Sequence, residues 1–196
     1  MMTRDACFAV LAAQRGDAIV VGTYTSAFEW ERIAPSPLNL PATGAMGQGS
    51  SHALGLALGL PQARVFVLDG DGGLLMNLGT LVTIANAGPK NLVHFVCENG
   101  TYEANGSHPL PGRDTVDFAG LARAAGYAQT VVFDDVARFA AELPRVLALD
   151  GPVFVTLKIV PGPPVTYDYA WMHGDAVRER FQRGIDALAG AASAAR

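Results

Sequence analysis

Charged residues are scarce in this chain: Asp, Glu, Lys and Arg make up 16% of 196 residues, and the net charge of -4 includes no cluster of Lys or Arg. Binding a nucleic-acid backbone needs a basic face, so no nucleic-acid partner is expected. Only two cysteines are present, Cys7 and Cys97, far apart and in apolar stretches. That excludes a disulfide framework and an iron–sulfur cluster, and buried free thiols in a reducing cytoplasm are expected instead. Long hydrophobic runs are missing too. No segment reaches the roughly 18 uninterrupted apolar residues of a membrane span, and the piece from Ala53 to Leu60 is short and broken by glycine. Arg4, Asp5, Arg15 and Asp17 flank a short apolar stretch near the start, which lacks the long apolar core of a secretory leader. No membrane association is expected, and there is no internal repeat.

Hydrophobic residues, by contrast, make up half of the chain. With a mean hydropathy of +0.24, the chain can bury a full core and is expected to hide further surface in an oligomer, a homodimer or a higher heteromer. Apolar runs at Ala18–Val21, Arg64–Leu68, Leu92–Cys97, Ala128–Phe133 and Pro152–Val160 read as buried strands. Between them, Thr3–Gln14, Ala27–Ile33, Gly47–Leu60, Leu74–Ala87, Val116–Ala125 and Val136–Leu149 read as helices, the last with a kink at Pro144. Ala34–Pro41 reads as a surface connection, and Asp175–Ala192 as a last helix on a tail that starts at Pro161. Strands alternating with helices predict an α/β fold: three layers, doubly wound, a mostly parallel sheet with helices on both faces. Residues 1–196 are expected to form one domain, with 161–196 its C-terminal tail and helix.

Two turns carry the chemistry. Gly70-Asp71-Gly72-Gly73 follows a strand and opens a helix, so its glycines admit a ligand close to the backbone, its N–H groups suit a phosphate, and Asp71 offers a hard oxygen to a divalent cation. Glu98-Asn99-Gly100-Thr101-Tyr102 closes the next strand, and the Asn99 side-chain carbonyl and Thr101 main-chain carbonyl can complete the cation's ligands. Thr25 and Ser26, after the first strand, can donate to a phosphate or serve as an ordinary helix cap. By themselves these features suit several cofactors, including a nucleotide held by a non-catalytic regulatory subunit, although no Walker lysine is present.

The order of Gly-Asp-Gly, helix, strand and Asn-Gly-x-Tyr resembles the cofactor motif of thiamine diphosphate enzymes, from about Ala18 to Val160. The resemblance implies that Asp71, Asn99 and Thr101 hold Mg2+ and that Gly70, Gly72, Gly73, Thr25 and Ser26 surround the diphosphate. It also implies that Met46, in Gly44-Ala45-Met46-Gly47, props the cofactor in its bent form while the Gly44 carbonyl meets the aminopyrimidine. Glu98 departs from the pattern, since many members carry Asn there. The likeness covers only the diphosphate-binding half. It is similar in this to the beta subunit of sulfopyruvate decarboxylase and to the corresponding half of phosphonopyruvate decarboxylase. The implied enzyme is a split decarboxylase of small 2-oxo acids, completed by an alpha-type pyrimidine-domain subunit that brings the catalytic glutamate. An acetolactate-synthase-like carboligase is the alternative within the family.

The polar loop from Glu103 to Gly112 reads as a lid, and its His108 stands where related segments have Gln. His108 is the candidate in this chain for moving a proton or meeting an anionic group. His52 is a weaker candidate, and His94 and His173 are assigned no role.

Overall fold

The apolar runs become strands because they are covered on both faces. The computed structural model describes residues 2–42, 44, 46–163 and 166–194. In chain order these form α1 (Arg4–Ala13), β1 (Ile19–Thr23), α2 (Tyr24–Ile33), β2 (Asn39–Ala42), α3 (Gly49–Gly59), β3 (Val65–Gly70), α4 (Asp71–Leu75), α5 (Gly79–Ala87) and β4 (Leu92–Glu98). There follow β5 (Thr101–Tyr102), a 3-10 turn (Glu103–Asn105), β6 (His108–Pro109), α6 (Phe118–Ala125), β7 (Gln129–Phe133), α7 (Val136–Leu147), β8 (Val153–Lys158), α8 (Tyr169–His173) and α9 (Asp175–Ala194). Six strands pair in parallel in the order β2-β1-β3-β4-β8-β7, while β5 and β6 form a separate antiparallel hairpin.

Alternate strand residues feed two cores. Val20, Phe66, Phe95 and Val155 pack with Phe8, Trp30, Phe139 and Leu143 from α1, α2 and α7. Val21, Val67, Val96 and Phe154 pack with Ala53, Ile84, Ala122 and Phe181 from α3, α5, α6 and α9. The expected three-layer α/β arrangement is therefore present, with a fully parallel main sheet. Winding reverses between β1 and β3, because β2 lies on one side of β1 and the later strands on the other. A reversal of this kind opens a crevice beyond the carboxyl ends of the strands.

Four boundaries differ from the sequence expectation. The segment read as one helix, Leu74–Ala87, is two: α4 ends at Leu75 and α5 begins at Gly79. A five-residue α4 sums few peptide dipoles, so its start offers local N–H groups rather than a long helix's field. The connection Ala34–Pro41 contains an edge strand, β2, whose Pro41 is tolerated because only one neighbour needs pairing. Trp30 Nε1 donates to Asn39 Oδ1 at 2.9 Å and pins that strand to α2. Helix α2 starts at Tyr24 rather than Ala27, and α8 was not anticipated. The C-terminal helix packs on this chain, with Val177 and Phe181 buried and Arg180 Nη1 2.7 Å from Glu31. Cys7 and Cys97 are buried free thiols, as expected.

Candidate active site

Three strand ends meet at the crevice. Thr23 ends β1, Gly70 ends β3, and Glu98 ends β4 just before Asn99. They open on a cleft whose walls include Thr25 and Ser26, Met46 and Gly47, Gly70 and Gly73, Asn99 and Tyr102, and Arg4 and Glu103. The chain turns sharply into α2 at Tyr24, a non-glycine residue held at φ 40°. Residues in this sparsely populated region persist where the surroundings enforce them, often beside ligands.

Asp71 is the electrostatic centre, with 1% of its surface exposed. Its Oδ1 accepts the Gly72 N–H at 2.8 Å, and its Oδ2 accepts the N–H groups of Asn99 and Gly100 at 2.8 and 2.7 Å. The two motifs, 28 residues apart in sequence, are thus joined through one carboxylate. Burial pushes the Asp71 carboxyl up to about 6 despite these three bonds, and the charge of Glu98 adds to the rise. A buried carboxylate has about four acceptor positions, so one remains free for a cation. Asn99 Oδ1 accepts from the Thr101 N–H at 2.8 Å and from its hydroxyl at 3.2 Å. As a cation ligand it would exchange the longer of these bonds. The donors here are all oxygen, which suits Mg2+ rather than a thiolate- or imidazole-bound metal. Among the described residues no cluster of three or more His, Cys, Asp or Glu forms a competing metal site.

Close backbone approach shapes the phosphate side. A Cβ on Gly72 would lie 2.6 Å from the Tyr102 ring, and Gly47, at φ 78°, would place one 3.0 Å from the Gly73 carbonyl. Gly47 therefore presses directly on the Gly-Asp-Gly-Gly loop. Asp69 supports that loop from beneath, where its Oδ1 accepts from the Gly70 N–H at 2.9 Å and the Thr23 hydroxyl at 3.3 Å. These features fit a diphosphate held through Mg2+: a cradle of bare backbone beside a buried carboxylate whose desolvation a cation would offset.

Most residues singled out from the sequence converge here. Gly70, Asp71, Gly72, Gly73, Asn99 and Thr101 adjoin one another. Thr25 and Ser26 are buried in the first turn of α2 instead of capping it, and Thr23 is the cap residue. The Thr25 hydroxyl shares a 2.8 Å hydrogen bond with Tyr167. Met46 is half-buried on the cleft wall, whereas Gly44 is exposed, with its carbonyl accepting from the Tyr24 hydroxyl at 3.5 Å. Ala45, between them, lies outside the described residues, as does Pro164 at the start of the tail. His108 is not brought into the cleft: it is exposed on the β5–β6 hairpin and absent from the lining. His52 is exposed on α3. Glu98 turns to Lys158 of β8, 3.8 Å away, and burial raises its carboxyl. The residues sequence reasoning missed are Arg4, Glu103 and Tyr167, whose hydrogen bonds to one another, to Thr25 and to Gly162 span 59 to 142 residues. Only Glu103 carried a signal, its place directly after the Asn-Gly-Thr-Tyr turn.

The family described as thiamine pyrophosphate enzyme, C-terminal TPP binding domain, matches residues 21–157. Among curated proteins, sulfopyruvate decarboxylase subunit beta of Methanothermobacter thermautotrophicus is 42% identical over 132 residues, covering 66% of each chain. Phosphonopyruvate decarboxylase of Streptomyces viridochromogenes is 36% identical over 162 residues, covering 82% of this chain and 40% of that protein. The chain thus spans less than two thirds of either relative. Among solved structures, a thiamine diphosphate-dependent 4-hydroxybenzoylformate decarboxylase of Rhodococcus jostii superposes with a TM-score of 0.70 at 26% identity, covering 82% of this chain and 33% of that one.

Proposed function

The chain belongs to the family of thiamine pyrophosphate enzyme C-terminal TPP-binding domains, and from this we propose that it is the diphosphate- and Mg2+-binding subunit of a split 2-oxo acid decarboxylase of the sulfopyruvate or phosphonopyruvate type. Residues 1–196 act in this reading as one diphosphate-binding domain. The observation that carries it is the buried Asp71 carboxylate, bonded to the Asn99–Gly100 turn and still short of a counter-charge.

When bound, thiamine diphosphate supplies the carbon nucleophile and electron sink for loss of carbon dioxide. The chain's own residues place it. Asp71, Asn99 and the Thr101 carbonyl hold Mg2+, while the backbone of Gly70 to Gly73 and the hydroxyls of Thr25 and Ser26 enclose the diphosphate. Met46 and Gly44 support the cofactor at the turn. Among the described residues lining the cleft the glutamate is Glu103, which spends both oxygens on Arg4 and the Gly162 N–H, so the glutamate that activates the aminopyrimidine comes from elsewhere. A separate pyrimidine-domain subunit supplies it. Exposed Leu58, Met76 and Val82 on the α3–α5 side support a subunit partner, and the buried thiols of Cys7 and Cys97 fit a cytoplasmic setting. His108, on the rim hairpin, is the candidate to meet the substrate's second anionic group or a proton.

The test is calorimetry with thiamine diphosphate, with and without Mg2+, on the chain assembled with its partner, followed by release of carbon dioxide from sulfopyruvate, phosphonopyruvate and pyruvate. Magnesium-dependent binding is expected, with decarboxylation only in the assembled complex. Binding indifferent to Mg2+ would remove the cofactor reading, and full activity from this chain alone would remove the split.

A further inference from the structure

Arg4 is 5% exposed and stands at the first position of α1, far in sequence from the motifs, yet it lines the cleft. Its Nη2 donates to Glu103 Oε2, and its Nη1 lies 3.4 Å from Glu29 Oε1 of α2. Glu103 follows Tyr102 directly and uses its other oxygen, Oε1, to accept the Gly162 N–H at 2.7 Å. The guanidinium therefore ties Glu103, the second residue after the Asn99–Thr101 turn, to α1 and to Glu29 of α2.

A buried arginine between two carboxylates is an expensive way to stabilise a core, since well-packed apolar residues of similar size often serve as well or better. The neighbouring inward positions of α1, Cys7, Phe8 and Leu11, are apolar. Arg4 Nε has no hydrogen-bond partner among the described residues, so the group is not placed to maximise its own bonding. What its position does achieve is to set where the Asn99–Thr101 turn stands relative to α1 and α2, the helix that carries Thr25 and Ser26.

We propose that Arg4 is a positioning residue for the cation-binding turn, acting through its buried pair with Glu103. This rests on the reading of Asp71, Asn99 and Thr101 as Mg2+ ligands. Groups behind metal ligands commonly change metal affinity 10- to 100-fold when removed.

Removing Arg4 alone would leave Glu103 buried without a counter-charge, so the informative variant is the double Arg4→Met with Glu103→Gln. Arg4→Lys, which keeps the charge but lacks the two guanidinium arms that reach Glu103 and Glu29, is the second. Each is compared with the parent complex by ligand-free melting temperature and by calorimetric Mg2+ titration at saturating thiamine diphosphate. The expected result is a melting temperature near that of the parent with apparent Mg2+ affinity at least tenfold weaker in the double variant, and an intermediate loss for Arg4→Lys. Parent-like Mg2+ affinity in the double variant would overturn the inference while leaving the proposed function standing. Loss of folding in both variants would also overturn it, because the pair would then serve stability alone. Failure of the parent itself to bind in a Mg2+-dependent way would instead sink the functional reading, and this inference with it.

Discussion

The two ends of the parallel sheet both carry hollows, and the larger one is not the site. At the amino ends of β1 and β3, beside the end of α7, a depression of about 590 Å³ is lined by residues such as Gln14, Arg15, Gln62, Arg64 and Pro144. Its one lining carboxylate, Asp17, is exposed. At the carboxyl ends the cleft is smaller, about 70 Å³, but it gathers the glycine turns and adjoins Asp71. Strand direction accounts for the difference. Parallel strands all turn into helices at one end, and where the winding reverses those turns separate and leave their backbone N–H groups facing a crevice. Size alone is a poor guide; buried charge beside bare backbone is the better one.

The largest effect expected from this contrast comes from paired carboxylate substitutions. Asp71→Asn should weaken Mg2+-dependent thiamine diphosphate binding by about 100-fold or more, by loss of a charged direct ligand, whereas Asp17→Asn should leave it unchanged in the same calorimetric titration. Equal effects at the two ends would dissolve the contrast.

A pair of glycines sharpens it within one helix. A Cβ on Gly49, where α3 meets the cleft, would lie 2.4 Å from Thr23 Cγ2, while Gly55 has open space around it. Gly49→Ala should lower stability by about 1–3 kcal/mol through overpacking and weaken cofactor binding. Gly55→Ala, exposed in mid-helix, should raise stability by about 1 kcal/mol. Chemical denaturation of both variants measures the two signs.

The smallest effect is an absence of reaction. Burial pushes the Cys7 thiol up to about 12 and the Cys97 thiol up to about 11, so neither forms appreciable thiolate at pH 8. A thiol reagent at that pH should label the folded chain slowly and the denatured chain at both positions. Rapid labelling of native Cys97 would show that the core beneath α1 opens to solvent.

Local patterns explain why much of this was legible. The runs Arg64–Leu68 and Leu92–Cys97 are long and apolar enough to be strands in any context, and Gly70–Gly73 and Asn99–Tyr102 announce turns by composition. The break between α4 and α5 was hidden because Met76, Asn77 and Leu78 have no helix-breaking chemistry, and the turn there comes from packing against Gly47. The edge strand β2 was hidden because prolines at 35, 37 and 41 outweighed a short apolar pattern. His108 follows the Asn99–Thr101 turn closely in sequence, and its exposure on the β5–β6 hairpin, outside the cleft lining, was set by the pairing of that hairpin.

The sequence by itself determined the alternation of strands and helices, the two glycine-bearing turns after β3 and β4 and the chemistry of their side chains. These depend on contacts within a few residues or on hydrophobic period, and both are written along the chain. Only the tertiary structure decided that Asp71 bonds the Asn99–Gly100 turn and that Tyr167 reaches Thr25. It likewise decided that Arg4 closes on Glu103. Such contacts join residues tens to more than a hundred positions apart, and their geometry exists only once the sheet has set the register of its strands.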